Sequence, residues 1–272
     1  MVSKISLTSS ARANLSSLQN TADLLATTQS RLASGKKVNS ALDNATAFFA
    51  SQGFLNRASD LSRLKDSMAT ALQTVKAATN AIDSITDLVS QMQGLTTSAL
   101  QTTDTALRSS YATQFDNLRS QIDSMVDDAV FNGTNLLSST AQNLVVNFNE
   151  SSTSTLTISS IDTTSTGLSV AGAVGSWADA ADITTSATAL SAALNTLRST
   201  ASTLGTNSTL IQTRQTFTNS LVNTLQTASD NLTLADTNEE GANMQALQAR
   251  QQLGVVSLSI SGQQAQSILR LF

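Results

Sequence analysis

Ten apolar positions between Leu61 and Met92 follow one another at alternating steps of three and four residues: Leu61, Leu64, Met68, Ala71, Val75, Ala78, Ile82, Ile85, Val89 and Met92. That spacing keeps them on one face of an α-helix for about four and a half heptads. It fits no β-strand, where the two sides alternate every second residue. A helix of this length must run unbroken, and the 272-residue chain contains no proline to interrupt it.

Further seams lie on either side. Leu15, Leu18, Ala22, Leu25, Gln29 and Leu32 repeat the pattern before a break at Ser34-Gly35-Lys36-Lys37, where Gly35 suits a left-handed position. Tyr111, Phe115, Leu118, Ile122, Met125 and Ala129 form a third seam, expected to fold back antiparallel on the second across a Thr/Ser-rich turn from Gly94 to Asp104. The centre changes character. Asn132-Gly133 is a strong turn dipeptide. Leu144, Val146 and Phe148 alternate, as do Leu156 and Ile158, which predicts a β-hairpin. From Ile161 to Gly175 the pattern fades into Ser, Thr and Gly. Helix is expected again from about Thr185, with Leu190, Leu194, Leu197, Ala201, Leu204, Ile211, Val222, Leu225 and Leu232 on one drifting stripe. Met244, Leu247, Gln251, Gly254, Leu258, Ser261, Ala265, Ile268 and Phe272 carry the three-and-four spacing to the last residue. The expected fold is mainly α: long coiled-coil helices from both chain ends packed together, with a small β-hairpin region in the middle.

Both ends are patterned for burial, although chain ends normally fray. The C-terminal seam is accompanied by a second apolar face at Leu253, Val256 and Ile260, and Leu24 sits beside Leu25 at the other end. A helix apolar on more than one face cannot be covered by a single neighbour in its own chain. The ends are therefore expected to pack on each other and on other copies. Small residues at the seam (Ala22, Gly254, Ser261, Ala265) allow close approach, and Gln251 and Gln252 can hydrogen-bond between helices. The predicted assembly core is Leu15, Leu18, Ala22, Leu25 and Leu32 with Met244, Leu247, Leu258, Ala265 and Ile268.

Composition narrows the function. The chain has no Cys and no His. That removes thiolate nucleophiles, disulfides, Cys-based metal sites and the commonest general base. No convergent carboxylate pair is evident, so no catalytic, metal or cofactor site is expected and the chain is read as a non-enzyme. Serine and threonine make up 79 residues and charged residues only 12%. Net charge is −4, although Met1 to Leu42 is basic, and nucleic-acid binding is not expected. No apolar run approaches the roughly 18 residues of a membrane span, and the N-terminus lacks the apolar stretch of a cleaved signal peptide.

Several segments resemble those of a known family. Gln29-Ser-Arg-Leu-Ala-Ser-Gly-Lys-Lys-Val-Asn-Ser-Ala-Leu-Asp-Asn44 resembles the bacterial flagellin pattern of RLSSG, a basic residue, IN, SA and an acidic pair. The matching positions include Arg31, Gly35, Asn39, Ser40 and Asp43; Asn44 stands where the family has its second acidic residue. Phe131-Asn132-Gly133 matches the family's FNG turn. Asn243 to Gly254, with Gln251 and Gln252, is similar to the NM…A…QQAG segment, and Ser267 to Phe272 to the VLSLL ending, without a final basic residue. The resemblance implies a short flagellin: 1–44 and 236–272 as the two parts of an inner coiled-coil domain, 45–130 and 185–235 as the helical parts of a rod domain, and 131–184 as β-hairpin and short outer tip. It implies a structural subunit that polymerises with itself into the extracellular flagellar filament. It also implies export through the flagellar type III apparatus, with an export chaperone, filament cap and hook-associated proteins as partners. The alternative is a hook–filament junction protein. Those tend to carry a Pro-Ser-Asp-Asp-Pro-like segment where this chain has Ser40-Ala-Leu-Asp-Asn44.

Other features carry plain structural readings. Gly35-Lys36-Lys37 lacks the remaining residues of a phosphate-binding loop, because position 30 is Ser and Val38 follows Lys37. It is read as a solvated or intersubunit basic corner. Asp127-Asp128 and Glu239-Glu240 are read as helix-end or surface pairs, and the single tryptophan, Trp177, as an anchor for the central tip. The Ser/Thr-rich stretch 151–170 is read as a hydrated outer surface, with O-glycosylation the other reading. The second helix carries Asp83 and Asp87 and no Lys or Arg between Lys76 and Arg108, so the resemblance implies weak Toll-like receptor recognition.

Overall fold

In the computed structural model of the chain, residues 9–140 and 142–269 are described, those from 265 to 269 by their backbone alone. The elements run α1 (Ser9–Ser34), α2 (Ala45–Leu100), α3 (Thr105–Asp128), β1 (Val130–Phe131), β2 (Thr134–Asn135), β3 (Leu144–Asn147), β4 (Thr155–Ile158), a 3₁₀ turn (Val174–Trp177), α4 (Ala180–Thr233) and α5 (Thr237–Leu269). They form two compact units. One holds residues 58–223; the other holds 1–57 and 224–272.

The 58–223 unit has a continuous core. Met68, Val75, Ala78, Ile82, Ile85, Val89 and Met92 of α2 are fully buried, as the heptad spacing predicts, against Phe115, Ile122 and Val126 of α3 and Ile183, Leu190, Leu197, Leu204 and Ile211 of α4. The turn expected from Gly94 is helical instead. The seam simply continues through Thr96 and Ala99, both buried, and the hydroxyls of Thr96 and Thr97 donate to the carbonyl of Gln93. Threonine is a poor guide to a turn when its hydroxyl is satisfied inside the helix. The chain reverses only over 101–104, where Asp104 caps α3 by accepting from the amides of Ala106 and Leu107. Arg108 then donates to the carbonyls of Ala99, Thr102 and Ala178, closing off groups that a helix end leaves open.

Both β features form antiparallel pairs. Asn132 (φ 50°) and Gly133 (φ 77°) make a two-residue turn between Val130↔Asn135 and Phe131↔Thr134. Positive φ at both positions is what Asn-Gly accommodates. In the second hairpin Leu144 faces Ile158 and Val146 faces Leu156, with Val146 and Ile158 buried. The weakly patterned stretch that follows is irregular but firmly held. Ile161 and Thr163 donate to the carbonyls of Leu136 and Leu137. Asp123 accepts from the amide and hydroxyl of Ser165, and Asp116 from the amide of Ala173. Trp177 closes the segment. It is fully buried, with its ring centroid 4.9 Å from that of Phe115, and so anchors the central segment as expected. Helix α4 begins at Ala180, five residues before the expected start; Asp182 in its first turn suits the positive end of the helix dipole.

Candidate assembly surface

The paired ends are built differently. Helix α1 packs along α5. A Cβ added at Gly254 would lie 2.8 Å from Cδ2 of Leu18, so glycine is what permits this close approach. Asn14 donates to the hydroxyls of Ser257 (3.2 Å) and Ser261 (3.4 Å). At the other end of the pair, Nη1 of Arg31 lies 3.1 Å from Oε1 of Glu240. Glu240 stands in the first turn of α5, at a helix end as expected, and is buried; the guanidinium beside it offsets the cost of taking a carboxylate out of water. Glu239 is exposed, as are Asp127 and Asp128 at the end of α3.

The helix termini are tied together through the backbone. Gly35 adopts φ 69° at the expected break and turns the chain against the start of the return segment. The amide of Lys37 donates to the carbonyl of Thr233 (2.7 Å), and that of Ala235 to the carbonyl of Gly35 (3.0 Å). Lys36 and Lys37 are exposed, with Nζ of Lys37 3.5 Å from the carbonyl of Asn231. Asp43 accepts from the amides of Asn39 and Ser40, each at 2.9 Å, and from the Ser40 hydroxyl. The backbone donors of Ser40 and then Asn39 hold its carboxyl below the usual carboxylate range. Asn39 donates to the hydroxyl of Ser34. Asn44 accepts from the amide of Ala47 and caps α2, a task asparagine performs as well as aspartate. The hydroxyls of Ser51 and Ser229 meet at 2.7 Å in a buried pair.

This unit nevertheless leaves much of its apolar surface open. Of the predicted assembly residues, Leu247 is buried. Leu18, Leu25, Leu32, Met244 and Leu258 are half-buried, and Leu15 and Ala22 are exposed. The side chains of Ala265 and Ile268 lie outside the described residues. Among the motif residues, Asn243, Gln251 and Gln252 are exposed on α5 and Phe131 is exposed beside its turn. The second face of α5 is open between residues 253 and 260: Leu253 is 69% exposed, and Val255, Val256 and Ile260 are each more than half exposed, as is Leu24 on α1. Two further open side chains were not singled out by the helical pattern: Phe49 at 65% and Leu42 at 98%. Leu42 lies between helices, where a periodicity argument has nothing to detect. Among the described residues there is no group of three or more acidic side chains able to hold a metal ion, and no helix is long and apolar enough to cross a membrane.

Long paired end helices with open apolar faces and no catalytic or metal-binding cluster among the described residues are the architecture of a structural subunit. Comparison with known proteins gives the family. Residues 5–142 match the bacterial flagellin N-terminal helical region, and residues 187–272 the bacterial flagellin C-terminal helical region. The chain is 34% identical over its whole length to flagellin FljM of Caulobacter vibrioides, spanning 99% of that protein. It is 30% identical to a flagellin of Brucella melitensis, with 97% of each chain covered. The crystal structure of Bacillus cereus flagellin shares the fold, with a TM-score of 0.50 at 23% identity over 56% of this chain and 88% of that one. The chain belongs to the bacterial flagellin family. It is a subunit of the flagellar filament, the extracellular polymer that drives swimming, in a short form without a large middle domain.

Proposed function

We propose that the faces of α1 and α5 left open within one chain are closed by neighbouring subunits and form the inner core of the filament. The observation that carries this reading is the row Leu253, Val255, Val256 and Ile260, exposed along a helix whose other side already packs on α1. Burying each such side chain contributes roughly 1.5–3 kcal/mol. A 33-residue helix spans about 50 Å, enough to reach copies above and below. Contacts of this kind are heterologous and propagate without closing into a ring. On this reading residues 1–44 and 236–272 form the inner domain, 45–130 and 185–235 the rod, and 131–184 the outer tip. The ends order as they assemble, which restrains premature polymerisation.

The subunit acts mechanically, transmitting motor torque, and performs no catalysis. Its partners outside the polymer are the export chaperone, the filament cap and the hook-associated proteins, and it leaves the cell through the type III route. Asp83 and Asp87 are exposed on α2 with no cation between Lys76 and Arg108, which favours weak Toll-like receptor activation. Electron micrographs of the purified protein after salt-induced polymerisation test the central claim. Micron-long fibres are expected from the full chain and none after both ends are trimmed. Fibres from the trimmed product would overturn it.

A further inference from the structure

Residues 161–178 run as a strap along α3, tied by side chains of that helix. Asp123 holds the amide and hydroxyl of Ser165, Asp116 the amide of Ala173, and Arg108 the carbonyl of Ala178. Leu168, Val170 and Trp177 are buried beneath it. The same strap carries the local costs of the 58–223 unit. Five non-glycine residues among those described have positive φ. Two of them, Asn132 and Ser152, sit in the turns of the two hairpins. The other three are in the strap: Ser169 (φ 58°), Ser176 (φ 53°) and Trp177 (φ 59°). With Gly175 (φ 54°), the last two make three successive left-handed residues. A residue with a Cβ is strained there, and a bulky one is a true outlier. Polar satisfaction fails in the same place. Among the described residues two buried side-chain nitrogens have no hydrogen-bond partner, Nε1 of Trp177 and Nε of Arg119. The Arg119 guanidinium reaches over the strap at Ser165 and Gly172, and the Asp116 carboxylate, 3.8 Å from its Nε, is too far to accept from it.

We propose that 161–178 is a spring-loaded strap: a cooperative element that unlatches from α3 as one piece, with Trp177 as its clasp, while α2, α3 and α4 stay packed. The inference stands on the geometry of 58–223 alone and does not depend on the filament reading. Strain and unpaired buried groups gathered in one segment mark it as a region of low local stability. Release lets Ser176 and Trp177 return to right-handed or extended backbone and lets the indole N–H bond to water. Closure is held by the burial of Leu168, Val170 and Trp177 and by a few side-chain bonds, with no strand ladder along the strap. Opening bares Phe115, whose ring lies 4.9 Å from that of Trp177, and so uncovers an apolar floor without unfolding a helix.

The chain has one tryptophan, so its indole N–H gives a single signal. Native-state hydrogen exchange of the full-length monomer should give that N–H and the amides of Ser165, Val170 and Ala173 one common protection factor. It should lie about tenfold or more below that of Val75, Ile82 and Val89 in α2 and depend less steeply on added urea, because a partial opening exposes less surface than global unfolding. Ser176 is exposed, so Ser176→Gly removes the strained Cβ without removing a buried contact. It should slow exchange in the strap about fivefold. Ser176→Ala keeps the Cβ and should leave exchange unchanged. The proposal is overturned if the indole N–H exchanges only together with α2, if the strap sites open independently with unrelated protection, or if Ser176→Gly exchanges no more slowly than Ser176→Ala.

Discussion

Residues 58–223 and the paired ends face the same task, covering the apolar stripes of long helices, and complete it to different degrees. In 58–223 the α2 seam, the α3 stripe, the hairpins and α4 enclose one another, and the single tryptophan seals the irregular segment against Phe115. In the ends the stripe of α1 meets one side of α5, a glycine and small polar residues line the contact, and the opposite side of α5 stays open. The first arrangement suits a unit that is folded before it assembles. The second suits surfaces whose folding is finished by assembly. The difference lies less in apolar content than in how many faces of each helix carry it.

The contrast makes opposed predictions for the two units. Phe115→Ala removes a fully buried ring from the closed core. It should cost about 3–5 kcal/mol in denaturant unfolding of the monomer and shift the fluorescence of Trp177. A loss under about 1 kcal/mol would mean that the core is not closed. Leu253→Asp should do the reverse. It places a charge on the face of α5 that α1 leaves open and that neighbouring copies bury on this reading, at a cost of several kcal/mol per subunit. Sedimentation should show the critical concentration rising a hundredfold or more, with the unfolding of 58–223 unmoved; normal polymerisation would contradict the open-face account.

A smaller effect sharpens the picture within the ends. Arg31→Ala leaves the buried Glu240 without its guanidinium and should destabilise the α1–α5 pair by about 1–2 kcal/mol. Adding Glu240→Gln should recover part of that loss in a double-mutant cycle, whereas strictly additive losses would remove the pair from the account. The smallest effect is expected at Asp43. Its folded-state pKa lies below the ordinary carboxylate value, so the stabilisation it supplies is complete above the ordinary range and is lost as pH falls through the folded-state pKa. Hydrogen exchange at the amides of Asn39 and Ser40 should quicken, relative to a reference amide in α2, as the pH drops below about 4. Asp43→Asn should abolish that dependence; an unchanged profile in the variant would assign it to another group.

Much of this architecture is legible along the chain. The seam from Leu61 to Met92, the break at Gly35, the Asn132-Gly133 turn, the hairpin of 144–158 and the second apolar face of α5 can all be read there. Helical and strand periods are set by residues a few positions apart, and the absence of proline lets them persist. What local spacing leaves undetermined has a common physical cause. Gly94 to Leu100 looks like a turn by composition, yet Thr96 and Ala99 find a neighbouring helix to be buried against. The burial of Glu240 is not legible until Arg31, more than 200 residues away, is placed beside it. The stretch from Ile161 to Gly175 is irregular, as its weak pattern implies, and what holds it in place comes from Asp116 and Asp123 of α3.

The order of the helices and the apolar faces at both ends were thus already written in local spacing, and the family resemblance in the motifs. How far each face is covered was not. The exposure of Leu42, the burial of Glu240 and the pinning of the central loop depend on groups brought together from distant parts of the chain. Desolvation is a property of that gathering and not of any residue's own neighbours in sequence.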